Sequence, residues 1–140
     1  MIPKIEDLPK LVANTKTNTQ KLFTKLKRTQ PGSLDATVQS IHEDVFSEMN
    51  CLTCANCCKT TSPIFYQKDI ERLSKHFRIK PSQFIQNYLH MDSDQDFVLN
   101  VTPCPFLDED NLCSVYEQRP TACREYPHTN RKRFYQLLDL

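Results

Sequence analysis

Glycine is nearly absent, one in 140 residues. That excludes the Walker-type phosphate loop and the dinucleotide fingerprint, both of which need several glycines. No apolar run approaches the roughly 20 residues that span a bilayer. Met1-Ile2-Pro3-Lys4-Ile5-Glu6-Asp7 lacks the basic start and apolar stretch of a secretory signal. Charge of one sign is missing too: eighteen Lys and Arg face seventeen Asp and Glu, a net of +1. The global balance therefore argues for neither a nucleic-acid partner nor an acidic one. Repeats and low-complexity segments are absent, and the first fifty residues hold no cysteine. What remains is a 16.4 kDa chain with 39% hydrophobic and 25% charged residues. That composition supports a modest core, in one domain or in a small domain with an arm.

Against these absences stand seven cysteines, all between Cys51 and Cys123. Without an export signal the expected compartment is the reducing cytoplasm, where thiols rarely persist as disulfides. An odd count would also leave one thiol outside any closed disulfide framework. Metal ligation, redox chemistry and burial as small hydrophobes are the remaining uses.

The composition divides near Asn50. Before it, Leu8, Val12, Thr15, Thr19, Leu22 and Leu26 step by fours and threes, and so do Leu34, Val38, Ile41, Val45 and Met49. Both patterns predict helices, near 6–28 and 33–49. Thr29-Gln30-Pro31-Gly32 supplies the turn and Ser33 a candidate cap. Residues 1–30 carry seven Lys and Arg against Glu6 and Asp7, about +5 locally. A basic helix can meet phosphates, but only Phe23 interleaves with the lysines, so nucleic-acid binding is disfavoured.

Beyond the cysteine run, Ile70, Leu73 and Phe77 predict a helix over 66–77. Pro81 opens another, with Phe84, Ile85, Tyr88 and Leu89 behind it. Met91 to Asp96 reads as an acidic loop and Phe97 to Val101 as a strand. Asp108-Glu109-Asp110-Asn111 reads as a hairpin turn. Pro120 opens a helical turn carrying Cys123, Pro127 stops it, and 132–140 reads as a last amphipathic helix. The predicted fold is α+β, mostly α. It comprises an N-terminal helical hairpin at 1–50, a small metal-stapled cysteine-rich domain with a short hairpin at 51–128, and a helical tail at 129–140.

Cys51-Leu52-Thr53-Cys54-Ala55-Asn56-Cys57-Cys58 puts four thiols in eight residues. Thiolates hold Zn²⁺ or the irons of Fe–S clusters, and a C-x-x-C step lets two sulfurs converge on one ion. On one continuous helix, Cys51, Cys54 and Cys58 would share a face, with Cys57 about 100° from Cys58. The polar neighbours Thr53, Asn56, Lys59, Thr60 and Thr61 argue against a buried sulfur stripe. Cys104, Cys113 and Cys123 each sit beside a turn or a proline, where backbone can be aimed at a ligand. His128, five residues past Cys123, has an acceptable offset for an imidazole ligand, and an exposed loop histidine is its equal alternative. His42, His76 and His90 read as surface or half-buried residues. Arg119, Arg124 and Lys59 could offset the negative charge of a thiolate site.

The blocks Cys51-x-x-Cys54-x-x-Cys57-Cys58, Cys104-Pro105-Phe106-Leu107 and Cys113-Ser114-Val115-Tyr116-Glu117-x-Arg119-Pro120-x-x-Cys123-Arg124-x-Tyr126-Pro127 together resemble the CxxCxxCC cysteine-cluster family, also called YkgJ-like. The resemblance covers roughly residues 51–128 and implies chelation of zinc or iron by the matching cysteines. Two departures stand out. Ala55 occupies a position where the family often has glycine, and the chain has seven cysteines where eight are usual.

The expected site is therefore Cys51, Cys54, Cys57, Cys58, Cys104, Cys113, Cys123 and His128, holding Zn²⁺ or iron. The leading reading is a metal-binding protein whose metal is mainly structural. An Fe–S or redox protein moving electrons or metal is the alternative. A metal enzyme comes third: Asp69, Glu71 and Glu117 are available acids, but nothing in the sequence places them near a metal. The expected partner is a metal ion, with no membrane and with the protein partner left open.

Overall fold

The computed structural model describes residues 3–139; residues 1, 2 and 140, the extremities of the two predicted flanking segments, lie outside the described residues. The chain is α+β and mostly helical, with one small two-stranded sheet. It divides into two compact units, Asn50–Tyr126 and the residues that flank it on both sides.

In the flanking unit a 3₁₀ turn at Ile5–Asp7 leads into α1 (Leu8–Thr29), and α2 (Leu34–Ser47) follows. α1 has Pro9 in its first turn and ends where Gln30 turns left-handed, φ 36°. Pro at a helix start and a left-handed residue at its end are ordinary helix signals. Ser33 precedes α2, but its side chain makes no capping bond. Its carbonyl instead accepts the Thr37 hydroxyl at 2.9 Å. The predicted stripes form helices but not a sealed hairpin, because neither helix contains a buried residue. Both lean on a short 3₁₀ helix, Phe134–Leu137, which replaces the longer helix predicted at 132–140. Asp35 anchors that turn by accepting the backbone N–H groups of Arg133 and Phe134 at 2.7 and 2.9 Å. These two bonds hold the Asp35 carboxyl below its ordinary range. Lys27 pairs with Asp139, and Leu138 is buried beside the turn.

The other unit is built on α5 (Gln67–Phe77) and α6 (Pro81–Tyr88). The i, i+3 stripe works as predicted: Ile70 and Leu73 are fully buried and Phe77 packs on the same core. Pro81 opens α6 and sends Phe84 inward. Phe65, Phe77, Phe84, Tyr88 and Phe106 then form a continuous aromatic stack. Phe84 lies 5.0–6.2 Å from the rings of Tyr88, Phe77, Phe65 and Phe106. Such contacts add to simple area burial.

Two differences from the sequence reading concern the sheet. β1 (Leu89–Met91) begins where α6 ends, at residues read as helix end and loop. β2 stops at Leu99, two residues short of the predicted strand. The strands pair antiparallel, Leu89 with Leu99 and Met91 with Phe97, burying both leucines. Phe65 bridges to Phe97, so the segment after the first cysteine group is tied to this sheet. The 108–111 turn closes the predicted hairpin through a Leu107–Cys113 bridge.

Phe84 touches four other rings and is 0% exposed. Phe84→Ala is expected to lower the unfolding free energy of this unit by about 3–5 kcal/mol, read from denaturant titration of the wild-type and variant proteins.

Candidate metal centre

The first cysteine group does not form one helix. α3 (Cys51–Cys54) and α4 (Asn56–Thr60) are separate turns divided at Ala55, which adopts φ 50°, ψ 10°. A left-handed alanine costs roughly 1–2 kcal/mol, and glycine avoids that cost. Here the methyl is only 2% exposed, so its burial offsets part of the strain. The break re-aims Cys57 and Cys58 relative to Cys51 and Cys54, and the common face expected of a single helix is lost. Asn50 caps the start, its side-chain oxygen accepting the Leu52 N–H at 3.0 Å.

The distal cysteines arrive on separate supports. The Cys104 N–H donates to the Cys58 carbonyl at 2.7 Å, joining the second block to the first. Cys104 and Cys113 pack against the edge of the aromatic core from the two arms of the 107–113 hairpin. Cys123 lies in α7 (Thr121–Glu125), opened by Pro120 as the sequence implied.

All seven cysteines are free thiols; Cys51 is exposed and the other six are half-buried. None is a fully buried core residue. Thiols of all three blocks lie close enough to influence one another's ionisation. Burial pushes the Cys58 thiol up to about 12, and the thiols of Cys57, Cys104 and Cys51 add to the rise. Cys123 is raised by burial and then by Cys58, Cys57, Cys104 and Cys113. Cys51 is raised by burial and by Cys57, Cys113 and Cys54, while Arg119 works in the opposite direction. Burial also raises Cys104 and Cys113. In these two, backbone N–H groups oppose the rise: Phe106 and Leu107 for Cys104, Val115 for Cys113.

Backbone donors aimed at sulfur, with a nearby guanidinium, stabilise thiolates. Arg119 is fixed for that role. Its side chain lies over the Tyr116 ring at 3.9 Å and donates to the Tyr116 carbonyl at 2.8 Å. Arg124 turns instead to the Glu117 carbonyl. Among the described residues no three Cys, His, Asp or Glu side chains are grouped tightly enough to hold one ion. The donor set thus fits a soft metal by its chemistry, thiols with N–H and cationic support, rather than by a preassembled shell.

Among the histidines, His128 belongs to the flanking unit and has φ 67°; its ligand role rests on sequence spacing alone. His42 stacks on Phe46 with ring centroids 4.4 Å apart, and its Nδ1 lies 2.7 Å from the Thr129 hydroxyl. His76 and His90 are exposed.

Residues 50–139 match the CxxCxxCC family, described as "Putative zinc- or iron-chelating domain". The chain belongs to the CxxCxxCC family. The match takes in every cysteine of the chain. No curated protein and no solved structure matches this CxxCxxCC chain.

No local spacing in the sequence announces what supports the third block. Asp69 is fully buried, and its Oδ1 accepts from Arg72 at 2.7 Å, from the Thr121 N–H at 3.1 Å and from the Thr121 hydroxyl at 2.9 Å. Its Oδ2 accepts the Tyr66 N–H at 3.1 Å. Arg72 also donates to the carbonyls of Gln118 and Arg119 at 3.3 and 2.9 Å. The Asp69–Arg72 pair on α5 therefore holds the 118–121 strip, which carries Arg119 and leads to Cys123. The carboxylate that had been available as an enzymatic acid is fully engaged in this clamp. Glu71 is exposed and pairs with Gln67.

Burial raises the Asp69 carboxyl, but the bonds from Arg72, Tyr66 and Thr121 outweigh it and hold it below its ordinary 3.8. Below 3.8 the unfolded chain takes up a proton that the folded chain refuses. The clamp's stabilisation is therefore complete above about pH 4 and is lost as pH falls through the lower folded value. Asp69→Asn is expected to cost about 2–4 kcal/mol at neutral pH. Urea unfolding across the acid range should show the wild-type advantage shrinking below pH 4.

Proposed function

We propose that the seven cysteines bind zinc or iron as one cluster, and that the metal mainly stabilises the Asn50–Tyr126 unit. The observation that carries this reading is the Cys104 N–H bond to the Cys58 carbonyl, which joins the second cysteine block to the first; the Asp69 bonds to Thr121 fix the helix that carries Cys123. Thiols separated by up to seventy-two positions would not be gathered beside polar neighbours for packing alone. Cys51, Cys54, Cys57, Cys58, Cys104, Cys113 and Cys123 would be the ligands. Arg119 and the N–H groups of Phe106, Leu107 and Val115 would support their charge. A bound metal supplies the positive charge that lets crowded thiols ionise together.

The structural role follows from the size of the core. The strands have three residues each, and the aromatic stack is the main apolar element. A unit of about 70–80 residues rarely gains more than a few kcal/mol from its core, and metal binding in cysteine-rich modules can supply on the order of 10 kcal/mol.

Elemental analysis of never-chelated protein with reduced thiols is expected to find at least one equivalent of zinc or iron, and the visible spectrum separates zinc from iron–sulfur. Both metals well below one equivalent would contradict the proposal. Because burial raises the thiols, loading must release protons, so affinity should weaken as pH falls. Chelation should abolish amide protection in residues 97–126. Protection that survives verified metal loss would make the metal cargo or a redox centre instead of a staple.

A further inference from the structure

The two N-terminal helices have opposite charge, and each leaves part of its apolar face exposed while the rest is half-buried. α1 holds six Lys and Arg and no acid, whereas α2 holds Asp35, Glu43 and Asp44 and no Lys or Arg. On α1, Leu8, Leu11, Val12 and Leu22 are 39–61% exposed. At 100° per residue they fall within an arc of about 100°. On α2, Ile41 and Val45 are 56% and 40% exposed and lie four residues apart, on one face. Antiparallel helices joined by a short turn normally bury such stripes on each other. Here the Phe134–Leu137 turn also touches both helices, anchored by Asp35 and by the Lys27–Asp139 pair, and the residues named above stay exposed.

We propose that this face pairs with a second copy of the chain, α1 of each copy lying on α2 of the other. Each copy brings one cationic and one anionic helix, so a two-fold arrangement makes both contacts at once and buries both stripes. Charge opposition selects α1 on α2 and disfavours α1 on α1. A nucleic acid or an anionic lipid surface would meet the cations of α1 but would be repelled by the acids of α2. Nucleic acid would also leave the leucines and valine in water.

Sedimentation equilibrium of the metal-loaded chain across the micromolar to millimolar range tests this. The expected result is a reversible dimer that weakens as salt rises. One variant reverses the flanks of the α1 stripe (Lys16→Glu, Lys25→Glu) and another reverses the acid that flanks the α2 stripe (Asp44→Lys). Each alone should dissociate about tenfold more readily, with circular dichroism showing that helix content is kept. Mixed together they should form a one-to-one heterodimer, because each reversed helix then meets its opposite. A wild-type chain that stays monomeric throughout, a dimer indifferent to both reversals, or variants that fail to associate on mixing would each overturn the proposal.

Discussion

Thiols crowded together resist ionisation, and the architecture of the Asn50–Tyr126 unit answers to that constraint. Burial raises the cost of each thiolate, and every neighbouring thiolate adds to it, which is why Cys58 is pushed up to about 12 and Cys123 is raised as well. The protein supplies partial compensation only: one guanidinium near Cys51 and Cys113, and three backbone N–H groups at Cys104 and Cys113. A bound cation would offset much of that repulsion. Five of the thiols, Cys51, Cys58, Cys104, Cys113 and Cys123, are thus raised, and a metal is the counter-charge that a chelating family such as this one would supply.

The aromatic core and the cluster support each other. Cys104 and Cys113 lean on the same stack that buries Phe84 and Phe106. The clamp made by Asp69 and Arg72 ties α5, whose other face is the core, to the strip that carries Arg119 and leads to Cys123. In this pair the carboxylate is buried and the guanidinium is part-exposed, so it is a modest source of stability and a strong positional lock: removing Arg72 strands the buried Asp69.

Much of this was legible in the sequence because it is local. The stripe of Ile70, Leu73 and Phe77, the start at Pro81 and the 108–111 turn all carry their signals within a few residues. The cysteine spacing carried the chemistry in the same way. The left-handed break at Ala55 had one signal, the glycine that the resemblance places there, while the 51–58 run itself has too few apolar residues to define a period. β1 was missed because Leu89 continues the α6 stripe, and its extended state depends on pairing with Leu99 ten residues later. The clamp joins residues fifty-two positions apart, so no local spacing announces it. The exposed stripes of α1 and α2 show the converse: periodicity identified the helices but not what covers them.

The central claim is that proximal and distal cysteines bind the same metal cluster. X-ray absorption at the metal edge, on loaded wild type and on Cys54→Ser and Cys123→Ser variants, tests it most directly. The expected result is a shell dominated by sulfur, near 2.3 Å for zinc, that loses sulfur in both variants. A shell that loses sulfur in Cys54→Ser and is unchanged in Cys123→Ser would contradict it, leaving the metal to the 51–58 segment alone.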